Sequence, residues 1–310
     1  MKIPRENRKQ NVLLTRTLRK IFLRPNIIKK ISSISPSLSL RFRHFLVKGY
    51  FPNLRKPITF DEKLIWLNLY WRHPLKTVCA DKYTMRSYVE DNGLGHILTP
   101  LLGVYQDADE IDFANLPNRF VLKCTHGCGF NILCLNKKDL DINVVRQKLN
   151  MWIRTDISKI YGEIHYAAMK PKIISEIFLN DQSSELPIDY KVFCFNGKAH
   201  CIMVCLGRNI VGHAKYYLYY DLDWKKIPYN QHSILQNVDA AKPSAFEQMI
   251  ESAEILSKPF PHVRIDYYNI NDRPVLGEMT FTSQACIHPD HTELAQIIMG
   301  RLLILPEKLC

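Results

Sequence analysis

The sequence predicts an α+β fold with more than one sheet. Three observations carry this: short apolar runs joined in pairs by turn residues, amphipathic helical stretches between them, and no strict strand-helix-strand alternation. A chain of 310 residues, 46% apolar and 23% charged, is long enough to bury one large core or two modest ones. Proline and glycine usage is ordinary and no internal repeat is present, which excludes collagen, coiled coil, disorder and solenoids.

Between Leu13 and Ile31 the apolar residues Leu14, Leu18, Ile21 and Phe22 recur at helical spacing, with Arg16, Arg19, Lys20 and Arg24 between them. Pro25 interrupts before Ile27, Ile28 and Ile31, Ser35-Pro36-Ser37 reads as a linker, and a second basic helix runs through Phe45 to Lys48. Thr59 then caps a helix with Asp61 and Glu62 in its first turn, and Asp81 caps another that stops at Asn92-Gly93. Arg119–Cys124 and Phe130–Leu135 read as a hairpin across a glycine-containing turn, followed by a helix over residues 139–154. Strands are expected over 172–178, 190–195 and 199–206, the last two closed by Asn196-Gly197. A helix over 245–257 precedes strands over 263–268 and 274–279 turned by Asn271-Asp272, and residues 292–303 form a last helix.

Charge is distributed unevenly. Residues 1–56 hold fifteen Lys or Arg against the single acid Glu6, a net of +14, which leaves 27 basic and 29 acidic residues for the rest, a net of −2. A basicity confined to the first sixth does not suit a nucleic-acid enzyme with a cationic groove through its core. It suits a neutral domain behind a segment that meets an anionic partner, such as an acidic membrane surface, or one that packs on its own domain. Nine scattered Cys show no paired framework and indicate a reducing compartment; no apolar run reaches the ~18–20 residues of a membrane span, and no signal-peptide pattern is present. The expected location is cytoplasmic, either free or resting on a membrane surface.

Three constellations carry chemistry. Lys123 leaves an apolar strand beside a turn with Gly127 and Gly129, placing a cation next to backbone N–H groups that can approach phosphate; the alternative is a solvated turn lysine. Neither the Rossmann nor the Walker spacing occurs. Arg264 and Asp266 share a strand face, and Glu278 follows twelve residues after Asp266, a spacing suited to a hairpin that brings the carboxylates together. Mg²⁺ held by one or two carboxylates and substrate phosphates answers that arrangement, and an Arg264–Glu278 salt bridge with Asp266 exposed is the alternative. Finally, Lys172–Leu179 can lay its backbone along an adenine edge, with Asp189 or Glu185 on ribose hydroxyls and Lys191 facing phosphate; taken separately, it reads equally as an ordinary strand.

In this order on these elements, the chain resembles the ATP-grasp superfamily, and within it the TupA-like family of teichuronopeptide and polysaccharide biosynthesis. The likeness rests on Asp81-Lys82-Tyr83, Phe120–Lys123 with the Gly127/Gly129 loop, Ser175-Glu176, Asp189–Gly197, Val263–Asp266 and Gly277–Phe281, and covers about residues 60–285. It implies two α+β lobes clasping ATP, with Lys82 and Lys123 on the phosphates, Glu176 and the backbone of Ile177, Phe178 and Leu179 at adenine, and Asp189 at ribose. It also implies Asp266 and Glu278 as Mg²⁺ ligands and Arg264 facing an acyl-phosphate. Thr280 stands where many members have Asn; its hydroxyl can still ligate Mg²⁺ or hold a metal-bound water, and a single-metal site or a weaker affinity is the open alternative. The implied activity is an ATP-dependent carboxylate–amine ligase that joins an amino acid or amine to a uronic acid of a bacterial surface polysaccharide. The implied partners are ATP, that anionic saccharide or its lipid-linked precursor, and the amine.

The corresponding organisation is a basic helical segment over 1–58, a helical region over 59–118, a small lobe with the glycine lid over 119–180 and a large lobe with the Mg²⁺ site over 181–310. Two other activities compete: a sugar kinase on the same clasp, and a glycosyltransferase using Asp221-Leu222-Asp223 as a metal motif. Cys124/Cys128 and Cys201/Cys205 have a spacing that admits zinc, though buried free thiols are the simpler reading. His126 is expected at phosphate or in solvent, His288 and His291 at an acceptor site or on a surface turn. Tyr216, Tyr217, Tyr219, Tyr220 and Trp224 are expected to stack on sugar or to fill a core.

Overall fold

Period-two alternation becomes two antiparallel sheets in the computed structural model, which describes residues 25–179, 186–208, 214–232 and 237–308. The first has four strands, β1 (Leu101–Tyr105), β2 (Phe120–Cys124), β3 (Asn131–Cys134) and β4 (Ile173–Ile177), in the order β1-β4-β2-β3. The second has six, β5 (Asp189–Phe195), β6 (Lys198–Leu206), β7 (Tyr216–Tyr220), β8 (Lys226–Ile227), β9 (His262–Ile270) and β10 (Arg273–Thr280), in the order β10-β9-β5-β6-β7-β8. Residues 13–24 of the expected first basic helix and Glu185 lie outside the described residues.

The chain divides into two compact units. One comprises Pro74–Thr155 and Ala168–Phe281 and holds both sheets; the other comprises the residues up to His73, Asp156–Ala167 and those from Thr282 onward.

In the sheet-bearing unit, β2 shows how the pattern sets a working face. Phe120, Leu122 and Cys124 are buried against Val145 and Leu149 of the helix Ile142–Ile153 and against Ile111 and Phe113, so Val121 and Lys123 point the other way. Asn196 and Gly197 both have positive φ, 49° and 79°, as do Asn271 and Asp272 at 49° and 60°; these two turns match the twist of their hairpins. Strand β1 was not anticipated, although Leu101–Tyr105 is a short apolar run after Pro100. Asp81 does not cap a helix directly: its Oδ1 accepts from the N–H groups of Tyr83 and Thr84, closing a turn, and the helix Met85–Asp91 starts beyond it. The aromatic cluster divides, with Tyr219 and Tyr220 buried and Tyr220 stacked on Trp224 at 4.5 Å, so this half fills a core rather than meeting a sugar.

In the other unit, Ser35-Pro36 is a helix start and not a linker. Ser35 accepts from Leu38 N–H as N-cap, and Pro36 occupies the first turn, where its missing N–H costs nothing. The helix Pro25–Ile34 precedes it. Ile28 is buried in it while Lys29 and Lys30 are exposed, and farther on Arg43 donates to Tyr161 O and Lys48 faces Asp61 at 3.3 Å, so the described part of the basic segment packs on its own unit with some of its charge turned inward. Thr59 and Glu62 form a reciprocal capping box at the helix Phe60–Tyr70. His288 and His291 are buried rather than on a surface turn: His288 Nδ1 is 2.8 Å from Asp61, and Ser283 Oγ is 2.8 Å from its Nε2. None of the eight described cysteines forms a disulfide, and no described helix is long and apolar enough to cross a membrane.

The helix Glu293–Leu302 approaches the chain before Phe60 closely through Gly300. A Cβ there would lie 2.2 Å from Ile58 O and 3.0 Å from Phe60 N. Alanine gains about 1 kcal/mol of helix propensity over glycine, but overpacking typically costs about 1–3 kcal/mol, and here the obstacle is backbone that cannot rotate away. Gly300→Ala is therefore expected to lower the urea unfolding midpoint. An unchanged or raised midpoint would mean that the helix can shift without loss.

Candidate active site

Two adjoining cavities are lined by residues of the sheet-bearing unit. The smaller, about 70 Å³, is an apolar slot between Val121, Leu133, Ile177, Phe178, Leu179 and Tyr268. The larger, about 360 Å³, is where the charges gather, lined by Lys82, Lys123, Asp189, Lys191, Asp266 and Glu278. Lys123, Asn131, Arg208 and Tyr268 line both. An apolar slot opening on a charged chamber suits a ligand with a flat apolar end and an anionic end.

The chamber floor is set by strand register. Lys191 of β5 lies opposite Asp266 of β9, and Asp189 precedes it by two on the same face. On the other side of β9, Glu278 pairs with Asp266 and Thr280 with Arg264. This pairing depends on a bulge between Leu276 and Glu278. The register from Arg273 to Leu276 would put Gly277 opposite Asp266 and turn Glu278 to the far face; one extra residue brings the second carboxylate round.

The charges compensate one another. Arg264 donates from Nε and Nη2 to the two oxygens of Asp266, both at 2.7 Å, and Nη2 also lies 3.4 Å from Glu278 and 3.2 Å from Thr280. Lys191 donates to Asp189 at 2.7 Å and to Asp266. Lys123 lies 2.6 Å from Glu176, and Lys82 donates to Gly127 O at 2.7 Å while facing Glu278 at 3.6 Å. The structure thus combines the two geometries left open by the sequence: Arg264 does bridge to Glu278, but Asp266 is buried rather than exposed. Burial works against the charge of Lys123, Lys191 and Arg264, yet the facing carboxylates outweigh it and hold all three above their ordinary values.

Other expected residues are placed as follows. Gly127 and Gly129 have φ of 68° and 75°, a backbone that side chains disfavour, and Gly129 lines the chamber. The Ile177 N–H already donates to Pro100 O at 3.3 Å, and Phe178 and Leu179 continue the slot beyond β4. Asp189 keeps one buried oxygen, Oδ1, without a partner among the described residues. His126 is neither solvated nor among the residues lining the chamber: it is buried, with Nε2 3.0 Å from Thr155 O. Asp221 accepts from the N–H groups of Asp223 and Lys225, which makes Asp221-Leu222-Asp223 a turn outside both cavities. Burial pushes the Cys124 and Cys205 thiols up to about 12, which disfavours the thiolates that zinc requires. Sequence reasoning missed Arg208, which lies 3.6 Å from Asp189 and over the Tyr268 ring. Its signal was a lone charge just after the apolar run of β6.

Among the described residues, no group of three or more His, Cys, Asp or Glu is placed to hold a metal by itself. Asp266 and Glu278 still fit Mg²⁺, which commonly takes one or two carboxylates and draws its other ligands from phosphates and water.

Burial pushes the Glu278 carboxyl up, but Lys82, Lys191, Arg264 and the Thr280 hydroxyl outweigh it and bring it down to about 2 from the usual 4.5. A depressed carboxylate stabilises the fold above its unfolded value and loses that contribution as pH falls through the folded one. The contribution, at most about 3 kcal/mol, is therefore expected to fade between pH 4.5 and 2. In urea unfolding across that range, wild type should lose more stability than Glu278→Gln; parallel curves would refute the assignment.

A family model described as TupA-like ATPgrasp matches residues 62–300. No curated protein matches the chain. Among solved structures it is similar to an L-amino acid ligase from Bacillus licheniformis, at 14% identity and a TM-score of 0.42 over 67% of this chain and 43% of that one. It is also similar to a D-alanine–D-alanine ligase from Bacillus anthracis, at 13% identity and a TM-score of 0.39 over 72% and 60% of the two chains. The chain thus matches about half the length of these proteins. The family match spans both sheets and every site residue named above, and with them its α+β architecture: the chain belongs to the TupA-like ATP-grasp family.

Proposed function

We propose that this protein is an ATP-dependent carboxylate–amine ligase working through an acyl-phosphate. The observation that carries the reading is the polar chamber itself, in which Lys82, Lys123, Lys191, Asp266 and Glu278 converge beside an apolar slot. The slot accepts the adenine between Val121, Leu133 and Tyr268, and the unpartnered Oδ1 of Asp189 accepts a ribose hydroxyl. Lys82 and Lys123 give up their carboxylate partners to the phosphates. Arg264, oriented by its two bonds to Asp266, faces the phosphoryl group in transfer.

In the reaction, an oxygen of the substrate carboxylate attacks the γ-phosphorus and the bond to the β,γ-bridging oxygen breaks, releasing ADP. The amine nitrogen then attacks the acyl carbon, the bond to phosphate breaks, and the amine proton goes to solvent or phosphate. Fixed cations stabilise the charge on the transferring group without reorganising, and this pathway requires no Ser, Cys or His nucleophile. Asp266 and Glu278 would hold Mg²⁺, with Thr280 orienting Glu278 through its 3.0 Å hydrogen bond. Bound there, Mg²⁺ neutralises phosphate charge. The loop with Gly127 and Gly129 acts as a lid that keeps water from the acyl-phosphate.

The same reading assigns the small lobe to 119–180 and the large lobe to 181–310. Its substrates are an amino acid or amine and the uronic acid carboxylate of a bacterial surface polysaccharide, as the family's place in polysaccharide biosynthesis suggests. The +14 charge of residues 1–56 supports an anionic glycan, or its lipid-linked precursor at the inner membrane face, as the partner that the protein meets from the cytoplasm.

Calorimetry with ATP, ADP and UDP-sugars, with and without Mg²⁺, tests this. Mg²⁺-dependent ATP binding is expected in wild type and a loss of at least tenfold in both Lys123→Ala and Glu278→Ala. Binding of a UDP-sugar with no response to ATP would favour a glycosyltransferase. ATP turnover giving a phosphorylated sugar and no amide would favour a kinase.

A further inference from the structure

In the unit without sheets, residues 49–59 join the helices Pro36–Lys48 and Phe60–Tyr70 and contain no acid. Pro52 and Leu54 are buried and anchor this loop, whereas Phe51 is 59% and Ile58 65% exposed. Glu62 fixes its shape: the carboxylate accepts from the N–H of Asn53 at 2.8 Å and from those of Ile58 and Thr59, both at 3.0 Å. Asn53 Oδ1 accepts in turn from the N–H groups of Arg55 and Lys56, at 3.2 and 3.1 Å. Phe51 is stacked on Phe45 with ring centroids 4.7 Å apart. The apolar side chains are therefore held outward by a tied loop.

The end of the last helix extends this surface. Gly300 lies so close to Ile58 that a Cβ would stand 2.2 Å from Ile58 O, so Arg301 and Ile304 emerge beside that residue. Ile304 is 68% exposed. Arg55, Lys56 and Arg301 are exposed too, and none of them has a carboxylate within ion-pair distance among the described residues. Across residues 49–60 and 301–308 the charges are Arg55, Lys56, Arg301 and Lys308 against Glu307, a net of +3. Asp61 and Glu62 are buried, and Glu293 begins the last helix, about 10 Å along its axis from Gly300.

Unpaired cations around exposed phenylalanine and isoleucine match a partner that is anionic at its surface and apolar beneath. A uronate-rich glycan offers carboxylates to the cations and nothing to the isoleucines. A bilayer offers headgroup phosphates to the first and acyl chains to the second.

We propose that this face, formed by the loop 49–59 and the end of the helix Glu293–Leu302, docks the protein on an anionic lipid bilayer. Phe51, Ile58 and Ile304 enter the acyl boundary, and Arg55, Lys56 and Arg301 meet headgroup phosphates. The proposal narrows the anionic partner named above to lipid, and it rests on the inner-membrane reading rather than on the ATP chemistry. Net charge alone provides attraction. A face of fixed geometry also sets how the unit is oriented on the bilayer.

The test is co-sedimentation of the full chain with phosphatidylcholine vesicles, with and without phosphatidylglycerol. Wild type is expected to bind the phosphatidylglycerol vesicles. Arg55→Gln/Lys56→Gln and Phe51→Ser/Ile304→Ser are each expected to bind them at least about tenfold more weakly, with ATP calorimetry unchanged. Tryptophan fluorescence of Phe51→Trp is expected to be quenched by brominated lipid beyond the quenching of wild type. Double variants that bind as wild type does, or a Phe51→Trp protein with no added quenching, would overturn the proposal and leave the membrane reading to residues 1–24. A wild type that ignores the vesicles and binds a soluble polyuronate would overturn both. A dimer in solution that the same changes dissolve would make the face an interface between copies and overturn the proposal as well. If the double variants fail to fold, the quenching of Phe51→Trp decides. Absence of ATP binding in wild type would remove the ligase reading and leave this proposal standing.

Discussion

Charge compensation in a partly dry space is the constraint on which the site depends. Taking an ion out of water costs several kcal/mol unless a partner is in place with good geometry, and the site as a whole, slot and chamber with the strands beneath them, gathers four carboxylates and five cations. They are paired so that each carboxylate meets at least one cation: Asp266 with Arg264 and Lys191, Asp189 with Lys191 and Arg208, Glu176 with Lys123, and the half-buried Glu278 with Arg264 and Lys82. A nucleotide binding here exchanges partners rather than meeting bare charge. The cations that serve phosphate already exist in ionised form, and their orientation is fixed by neighbours on the sheet.

That orientation is a backbone achievement. Lys191, Asp266 and Glu278 sit on three neighbouring strands at one level, so their distances are set by ladder spacing. The bulge at Gly277 supplies the half-turn that a regular hairpin would have denied to Glu278. Gly277 suits the place because a Cβ there would press within 3.3 Å of Asp266 O and of the Tyr268 ring. The slot side is built by the same alternation in β2: the face that packs on the helix Ile142–Ile153 is apolar throughout, and Lys123 occurs where that face turns away.

The unit without sheets relies on a different device. Asp61, fully buried, bonds His288 at 2.8 Å and faces Lys48 at 3.3 Å, and the burial that would raise its carboxyl is outweighed by His288 and Lys48, which hold it well below the usual range. Next to this network, Gln284, Ala285 and Cys286 all have positive φ, 49°, 48° and 70°. Such residues cost of order 1–3 kcal/mol each when held in that region, so the turn persists only because its flanks are tied. Ser283 bonds His288 on one side, and Cys286 Sγ reaches Leu64 O at 3.7 Å on the other.

Much of this was legible in the sequence. Alternating apolar residues fixed the hairpins, Asn-Gly and Asn-Asp marked their turns, and the spacing of Arg264, Asp266 and Glu278 announced a charged face, because side-chain periodicity and turn chemistry are local properties. Residues whose role depends on partners far along the chain were not legible. Arg208 reads as a lone surface charge until Asp189 and Tyr268 are beside it, and His288 reads as a turn residue until Asp61, 227 positions earlier, encloses it. Lys191 looked like a hand for phosphate and became a bridge between carboxylates, since strand order alone decided that β5 lies beside β9. The sequence by itself determined which side chains share a strand face. Tertiary structure decided which faces meet and which charges neutralise one another, because register, bulges and strand order are set by packing over long separations and not by neighbours in the chain.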